Sequence, residues 1–302
     1  MTTLKMATTI ALLTIVTGSG YADSTPPGDR HFDFSPAPDG NSFVFYSYRG
    51  NHRPDIYLRT QGGAEKNLTA RGDTWDIEPD FSPDGTKIIY ASGPNMGALS
   101  LRIMNSDGTN DRVFFDGDDN EVAPNWSPDG TKVLFSAFNR NEKTNVIYVV
   151  EPDGSHVRSL TADLPGQSSQ ASWSSDSQWI LFSNKISDDA QSDLYRMRSD
   201  GSHRQRLTND AFSQTSPIYS PDMKTIVFTG FGEDGLSDLY SMPAGGLHHG
   251  AVATKLSETD DNLEYFLTTM PDGKHLIFSK GDWDKGFEMA HLPAPWYRHG
   301  NR

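Results

Sequence analysis

The sequence predicts an all-β protein built from one unit repeated six times, and three observations carry that prediction. An aspartate in a Ser-Pro-Asp-Gly-like turn recurs at Asp39, Asp84, Asp129, Asp176, Asp222 and Asp272, at intervals of 45, 45, 47, 46 and 50 residues. Each turn leads into a run that is apolar on consecutive positions, as in KIIYAS (Lys87–Ser92) and KVLFSA (Lys132–Ala137). No stretch outside the N-terminal leader shows the spacing of an amphipathic helix, so the apolar runs read as strands.

Each copy divides into four strands. The first ends in an aromatic residue before the turn: Phe81, Trp126, Trp173 and Tyr219. Asp-Gly supplies the positive φ angles of a tight hairpin, although the fourth copy (WSSDSQ) and the fifth (YSPDMK) lack the glycine. The second strand, apolar on both faces, needs cover on both, which stacked sheets provide. The third reads DIYLRT, LRIMNS, VIYVVE, DLYRMR and DLYSMP, and the fourth KNLT, RVFF, RSLT, QRLT and TKLS. Four short strands in a period of this length make a propeller blade. The prediction is a six-bladed β-propeller of four-stranded antiparallel blades, starting near residues 31, 76, 121, 168, 214 and 263. The GH…WD signature of WD repeats is missing.

The pattern P-x-W/F-S-P-D-G-x-K-I/V-x-F/Y…D-L/I-Y…D-G…L-T resembles the TolB-type propeller repeat, over roughly residues 31 to 292. The resemblance implies a TolB-like propeller used for protein contacts. TolB carries an α/β domain ahead of its propeller; that domain is expected to be absent here, because only residues 23–30 separate the leader from the first strand.

That leader is residues 1–22. Lys5, the short apolar run Ala7–Thr17 and the small residues Gly20 and Ala22 have the layout of a secretory signal peptide cut after Ala22. Residues 23–302 then form a single propeller domain. The apolar run is shorter than the roughly 20 residues a spanning helix needs, so no stable membrane span is expected after cleavage. With no cysteine there is no disulfide framework, no thiolate chemistry and no lipoprotein anchor. The expectation is a bacterial, periplasmic or secreted protein, monomeric. A net charge of −14 argues against nucleic acid and for cationic partners.

The turn aspartates sit in six separate turns and read as hairpin caps. Function is expected where the copies differ. Six residues before each turn's leading residue stand His31, Asp76, Glu121, Ser168, Gln214 and Glu264; two residues on stand Asp33, Glu78, Ala123, Gln170, Ser216 and Phe266. Strand alternation places both sets on one side, facing the propeller axis. The expected binding ring is therefore His31, Asp76, Glu78, Glu121, Gln170, Gln214 and Glu264. It lies at the channel mouth beside the loops that lead into the first strands, whose Asp73, Asp118, Asp119, Asp260 and Asp261 deepen the negative field. Loops between second and third strands add Tyr48, Arg49, His52, Arg53, Phe138, Arg140 and Trp283, residue types common in recognition. His248-His249 reads as an exposed loop.

Two functions fit. One is a binding or scaffolding module that takes a protein or peptide with a basic segment. The alternative is a metal-dependent lyase or hydrolase of a carbohydrate or lactone, with His31, Asp76, Glu121 and Glu264 holding a divalent cation, calcium or manganese. Catalytic residues are not assigned: G-x-S-x-G, H-E-x-x-H and the P-loop pattern do not occur.

Overall fold

A computed structural model describes residues 30–49, 53–139, 143–232, 235–247, 252–257, 263–282 and 286–297. The expected signal peptide, His52, Arg140, His248, His249, Asp260, Asp261 and Trp283 lie outside the described residues.

The described residues hold strands and no α-helix, and no helix long and apolar enough to cross a membrane. The first unit is β1 (Arg30–Pro36), β2 (Ser42–Tyr48), β3 (Asp55–Thr60) and β4 (Glu65–Asn67). The second is β5 (Trp75–Phe81), β6 (Lys87–Gly93), β7 (Ser100–Asn105) and β8 (Arg112–Phe115). The third is β9 (Asn120–Trp126), β10 (Val133–Asn139), β11 (Thr144–Val150) and β12 (Arg158–Ser159). The fourth is β13 (Gln167–Trp173), β14 (Trp179–Lys185), β15 (Asp193–Arg198) and β16 (Gln205–Arg206). The fifth is β17 (Gln214–Tyr219), β18 (Thr225–Phe231), β19 (Ser237–Pro243) and β20 (Thr254–Lys255). Last come β21 (Leu263–Thr269), β22 (His275–Asp282) and β23 (Gly286–Pro293).

Units two to five are separate four-stranded antiparallel sheets; β21–β23 and β1–β4 are joined into a seven-stranded sheet by one parallel pair, Arg30 with Phe287. The first strands β1, β5, β9, β13, β17 and β21 are neighbours in that order, and β21 also lies against β1.

The core follows the second strands. Ile88, Ile89 and Tyr90 are all fully buried, as are Ile180, Leu181 and Phe182, because a stacked sheet covers each face. The aromatic of the second strand stacks on the tyrosine of the third: Phe45 on Tyr57, Phe135 on Tyr148, Phe182 on Tyr195 and Phe228 on Tyr240, with centroids 5.3 to 5.9 Å apart. That pairing is the reason for the recurring D-L/I-Y.

The turn chemistry is equally regular. The Ser82 hydroxyl donates to Asp84 (2.6 Å), the Thr86 N–H donates to the same oxygen (3.0 Å), and the Lys87 N–H donates to Ser82 Oγ (2.9 Å). Ser127 with Asp129, Ser174 with Asp176 and Ser220 with Asp222 repeat the arrangement. The Ser82 hydroxyl and then the Thr86 N–H hold the Asp84 carboxyl below its usual range. Where the glycine is missing, Ser177 (φ 58°) and Met223 (φ 57°) take the left-handed conformation themselves. Asp129→Ala removes the acceptor for three donors near the surface and should lower stability by about 1–2 kcal/mol in urea unfolding. An unchanged midpoint would contradict the capping role.

The L-T pair closes each sheet. Thr69, Thr161, Thr208 and Ser257 each accept, at 2.9 Å, the N–H of a third-strand residue: Ile56, Ile147, Leu194 and Leu239. The N–H of the preceding leucine returns a bond to the carbonyl of that same residue, as from Leu68 to Ile56 and from Leu160 to Ile147. Both polar groups of a buried third-strand residue are thereby satisfied.

Candidate functional site: an acidic cavity among the first strands

The first strands are not regular. Asp33, Glu78, Ala123, Gln170, Ser216 and Phe266 all have φ between 49° and 54°, and the ladder to the second strand shifts register at each of them. Every unit therefore carries a β-bulge at the same place. Three of the bulges are followed by proline, at Pro79, Pro124 and Pro217; a proline has no N–H, so a strand holds it at a bulge or an edge.

The bulge separates the two sets of residues that alternation would have put together. A cavity of about 580 Å³ lies among the six first strands, lined from the bulges onward: Asp33, Glu78, Ala123, Gln170, Ser216 and Phe266, with the residues that follow each. It extends to the Ser-Pro-Asp-Gly turns, where Pro128, Ser175, Pro221 and Pro271 rim it. Of the seven residues expected in the ring, Glu78 and Gln170 line this cavity; His31, Asp76, Glu121, Gln214 and Glu264 do not. The cavity also lies toward the turn end of the strands, not the end carrying Asp73, Asp118 and Asp119.

The five displaced residues are engaged elsewhere. Asp76, fully buried, accepts the Thr74 hydroxyl (3.1 Å) and faces the Arg71 guanidinium at 3.4 Å. Gln214 donates to Asp210 (2.6 Å) and Glu264 accepts the hydroxyl of Ser257. His31 meets the Phe45 ring edge-on at 5.3 Å. Glu121 is buried, and burial foremost pushes its carboxyl up to about 7, with the Gly117 N–H opposing and Asp116 and Asp119 reinforcing. Among the described residues no three His, Asp or Glu side chains come together as a metal-holding group, so His31, Asp76, Glu121 and Glu264 do not form one. The recognition loops hold one another: Arg49 is paired with Glu65 and lies over the Tyr57 ring, and Arg53 donates to the carbonyls of Asp73 and Pro94.

Asp80, which the spacing argument passed over, is the third acid of the cavity. It accepts the Ser35 hydroxyl (2.8 Å), the Trp126 N–H (2.8 Å) and the Asn125 amide (3.3 Å). Glu78 accepts the Ala123 N–H at 2.7 Å. Both carboxylates thus bond the edge of the next first strand, an edge that no further strand covers among the described residues. The signal that would have found Asp80 is Pro79: a proline inside a strand marks the bulge after which the facing changes.

These features coincide with a known family. Residues 92–293 match the sequence profile of the TolB β-propeller domain. The chain belongs to the TolB β-propeller family. No curated protein matches it. Among solved structures it resembles TolB from Acinetobacter baumannii, at 20% identity and a TM-score of 0.62, over 90% of this chain and 65% of that one. It also resembles a protein assigned as TolB from Agrobacterium tumefaciens (19%, TM-score 0.63, 87% and 91% of the two chains). A third likeness is to an oligogalacturonate lyase in complex with manganese (12%, TM-score 0.59, 89% and 92%). At these identities the likeness is one of fold, and the chain spans 65% of the length of the Acinetobacter TolB.

In this TolB-type propeller the cavity is acidic and without a base. Its lining residues include Asp33, Glu78 and Asp80, and among the described residues no Lys, Arg or His. Burial pushes Glu78 up to about 7 against the Ala123 N–H, and Asp80 up to about 6 against the Trp126 N–H and the Ser35 hydroxyl. Asp33 is raised well above its ordinary value by burial, then by the charges of Glu78 and Asp80. Trp126, Trp173, Tyr219 and Phe266 supply apolar and aromatic wall to the same space. Such a site suits a cation with an apolar stem: carboxylates for the head, aromatic rings for the methylenes.

Proposed function

We propose that this chain is an exported, six-bladed TolB-like propeller that works as a binding or scaffolding module, and that its cavity receives a lysine- or arginine-bearing segment of a protein or peptide. One observation carries the reading: three carboxylates share a cavity whose described lining contributes no cation to offset them. An incoming ammonium or guanidinium would stabilise the ionised acids and satisfy the oxygens their backbone partners leave free. Six blades are supported by the order of the first strands, in which β21 lies against β1, and by the Arg30–Phe287 pair. Export and a periplasmic or secreted location are supported by the leader-like first 22 residues.

The test is a titration with a lysine-rich peptide, hexalysine, into the protein, an Asp33→Asn/Glu78→Gln/Asp80→Asn variant and an Asp118→Asn/Asp188→Asn/Asp189→Asn control. The control removes equal charge from exposed loops. The cavity variant should lose affinity at least about tenfold, about 1.4 kcal/mol, while the control stays within about twofold of wild type. Equal losses in both variants would reduce the binding to diffuse attraction by net charge and sink the proposal.

A further inference from the structure

The three acids of the cavity do not surround it. Asp33 stands on β1 and Glu78 and Asp80 on β5, and these two strands are neighbours. In the order of first strands β17 is three places from β5 in either direction, and β21 lies beside β17. The side chains at the matching places there are apolar. Ile218 is the counterpart of Asp80, two residues past the bulge, and Phe266 is the counterpart of Asp33 and Glu78, at the bulge itself. Met270, where β21 runs into its turn, belongs to the same wall. Between the walls, β9 and β13 present neutral groups that are already bonded: the Asn125 amide donates to Asp80 and the Ser172 hydroxyl to the Pro217 carbonyl. The cavity is charged on one side and apolar on the other.

Each wall leaves something for a ligand. Asp80 is held by Ser35, Asn125 and Trp126, and Glu78 by Ala123, but among the described residues the Asp33 carboxylate accepts no hydrogen bond. Ile218, Phe266 and Met270 are half-buried; each packs on the core and also borders the cavity. The Phe266 ring is fixed in place by Phe32 and Tyr46, which meet it edge-on with centroids 6.0 and 6.1 Å away. Apolar surface held rigidly against water gains from cover by another apolar group.

A single lysine does not use both walls. Its ammonium goes to Asp33 and Glu78, with the Phe266 ring beside it, and its methylenes form one narrow stem. The cavity of about 580 Å³ has the volume of a pocket for a complete small ligand, more than one such stem fills. In an extended segment successive side chains point to opposite sides, so adjacent residues reach opposite walls.

We infer that the segment received by the cavity carries a large apolar side chain next to its lysine or arginine. The cation lies on the wall made by β1 and β5, and the apolar side chain lies against Ile218 and Met270. This rests on the reading of the cavity as a cation site, and it narrows the partner from any basic segment to one in which basic and apolar residues are adjacent.

Two peptides of equal charge test it, acetyl-Lys-Leu-Lys-amide and acetyl-Lys-Ser-Lys-amide, titrated at pH 8 and low ionic strength. The proteins are the full chain, an Ile218→Thr/Met270→Gln variant and the Asp33→Asn/Glu78→Gln/Asp80→Asn variant. Both wall substitutions keep the side chain's size while making it polar, and the wild-type comparison stands without them. The leucine peptide should bind the wild type at least about tenfold more tightly than the serine peptide, and the wall variant should cut that preference to within about twofold. Equal affinities for the wild type, with both peptides weakened in the acid variant, overturn the inference and leave the cation site standing. A leucine preference that Ile218→Thr/Met270→Gln leaves unchanged puts the leucine elsewhere and also overturns it. Binding that the acid variant does not weaken, or no binding of either peptide, overturns the cation site and the inference with it.

Discussion

Arg71→Met should cost about 3 kcal/mol of folding stability, measured by urea unfolding, the low end of the range for breaking a buried ion pair. Asp76 is fully buried and its carboxylate faces this guanidinium, which is itself about one-third exposed. Arg71 also donates to the Tyr90 hydroxyl (2.7 Å) and pairs with Asp111 (2.6 Å), and Tyr90 in turn donates to Asp111 (2.8 Å). Removing the arginine leaves the buried Asp76 carboxylate with the Thr74 hydroxyl as its one side-chain donor among the described residues. Asp76→Asn in the same chain should restore at least about half of the loss, since the uncompensated charge is then gone. A loss below about 1 kcal/mol would mean that water reaches Asp76 and that its burial is not what holds it. Hexalysine binding should be unaffected by either change, because neither residue lines the cavity.

The second large effect is a dependence of stability on pH that runs against the usual one. Burial raises Glu78 from 4.5 to about 7, so the folded chain holds a proton that the unfolded chain has released between those values. The stabilisation is complete below about pH 4.5 and is lost as pH rises through about 7. For Glu78 alone it reaches at most about 3 kcal/mol. Asp80 and Asp33, raised by burial in the same cavity, act with the same sign. Stability should therefore fall from pH 5 to pH 8. Glu78→Gln should flatten that fall, because the amide oxygen can still accept the Ala123 N–H without ionising. A wild-type curve that rises over this range, or a variant with the same slope, would show that the carboxyl is solvated. The same linkage makes hexalysine binding tighten as pH rises, since the cation selects the ionised acids.

What the sequence made legible was what is encoded locally. The Asp84 turn, the L-T cap and the doubly buried second strand are each set by residues within a few positions of one another, and they recur at the repeat interval. The site was legible in its composition, acids and amides at the start of the first strands, and misplaced in its geometry. Alternation assumes an unbroken strand, and a bulge at Glu78 and its equivalents reverses the facing of everything before it. Asp76, Glu121 and Glu264 consequently go into the packing between units, while Asp80 comes into the cavity. Pro79, Pro124 and Pro217 were the local sign of the break. That Asp33, Glu78 and Asp80 share one space is a property of how β1 and β5 sit together, which no spacing within either strand contains.

The central claim is that the working surface is the cavity at the turn end of the first strands. Backbone hydrogen exchange, followed with and without hexalysine at pH 8 and low ionic strength, tests it most directly. The account predicts slowed exchange at Asp80, Ala123, Asn125 and Trp126 and in the turns beginning at Ser127, Ser174 and Ser220. Slowed exchange at Asp73 to Asp76 and Asp116 to Glu121, with the cavity residues unchanged, would place binding on the opposite face and contradict it.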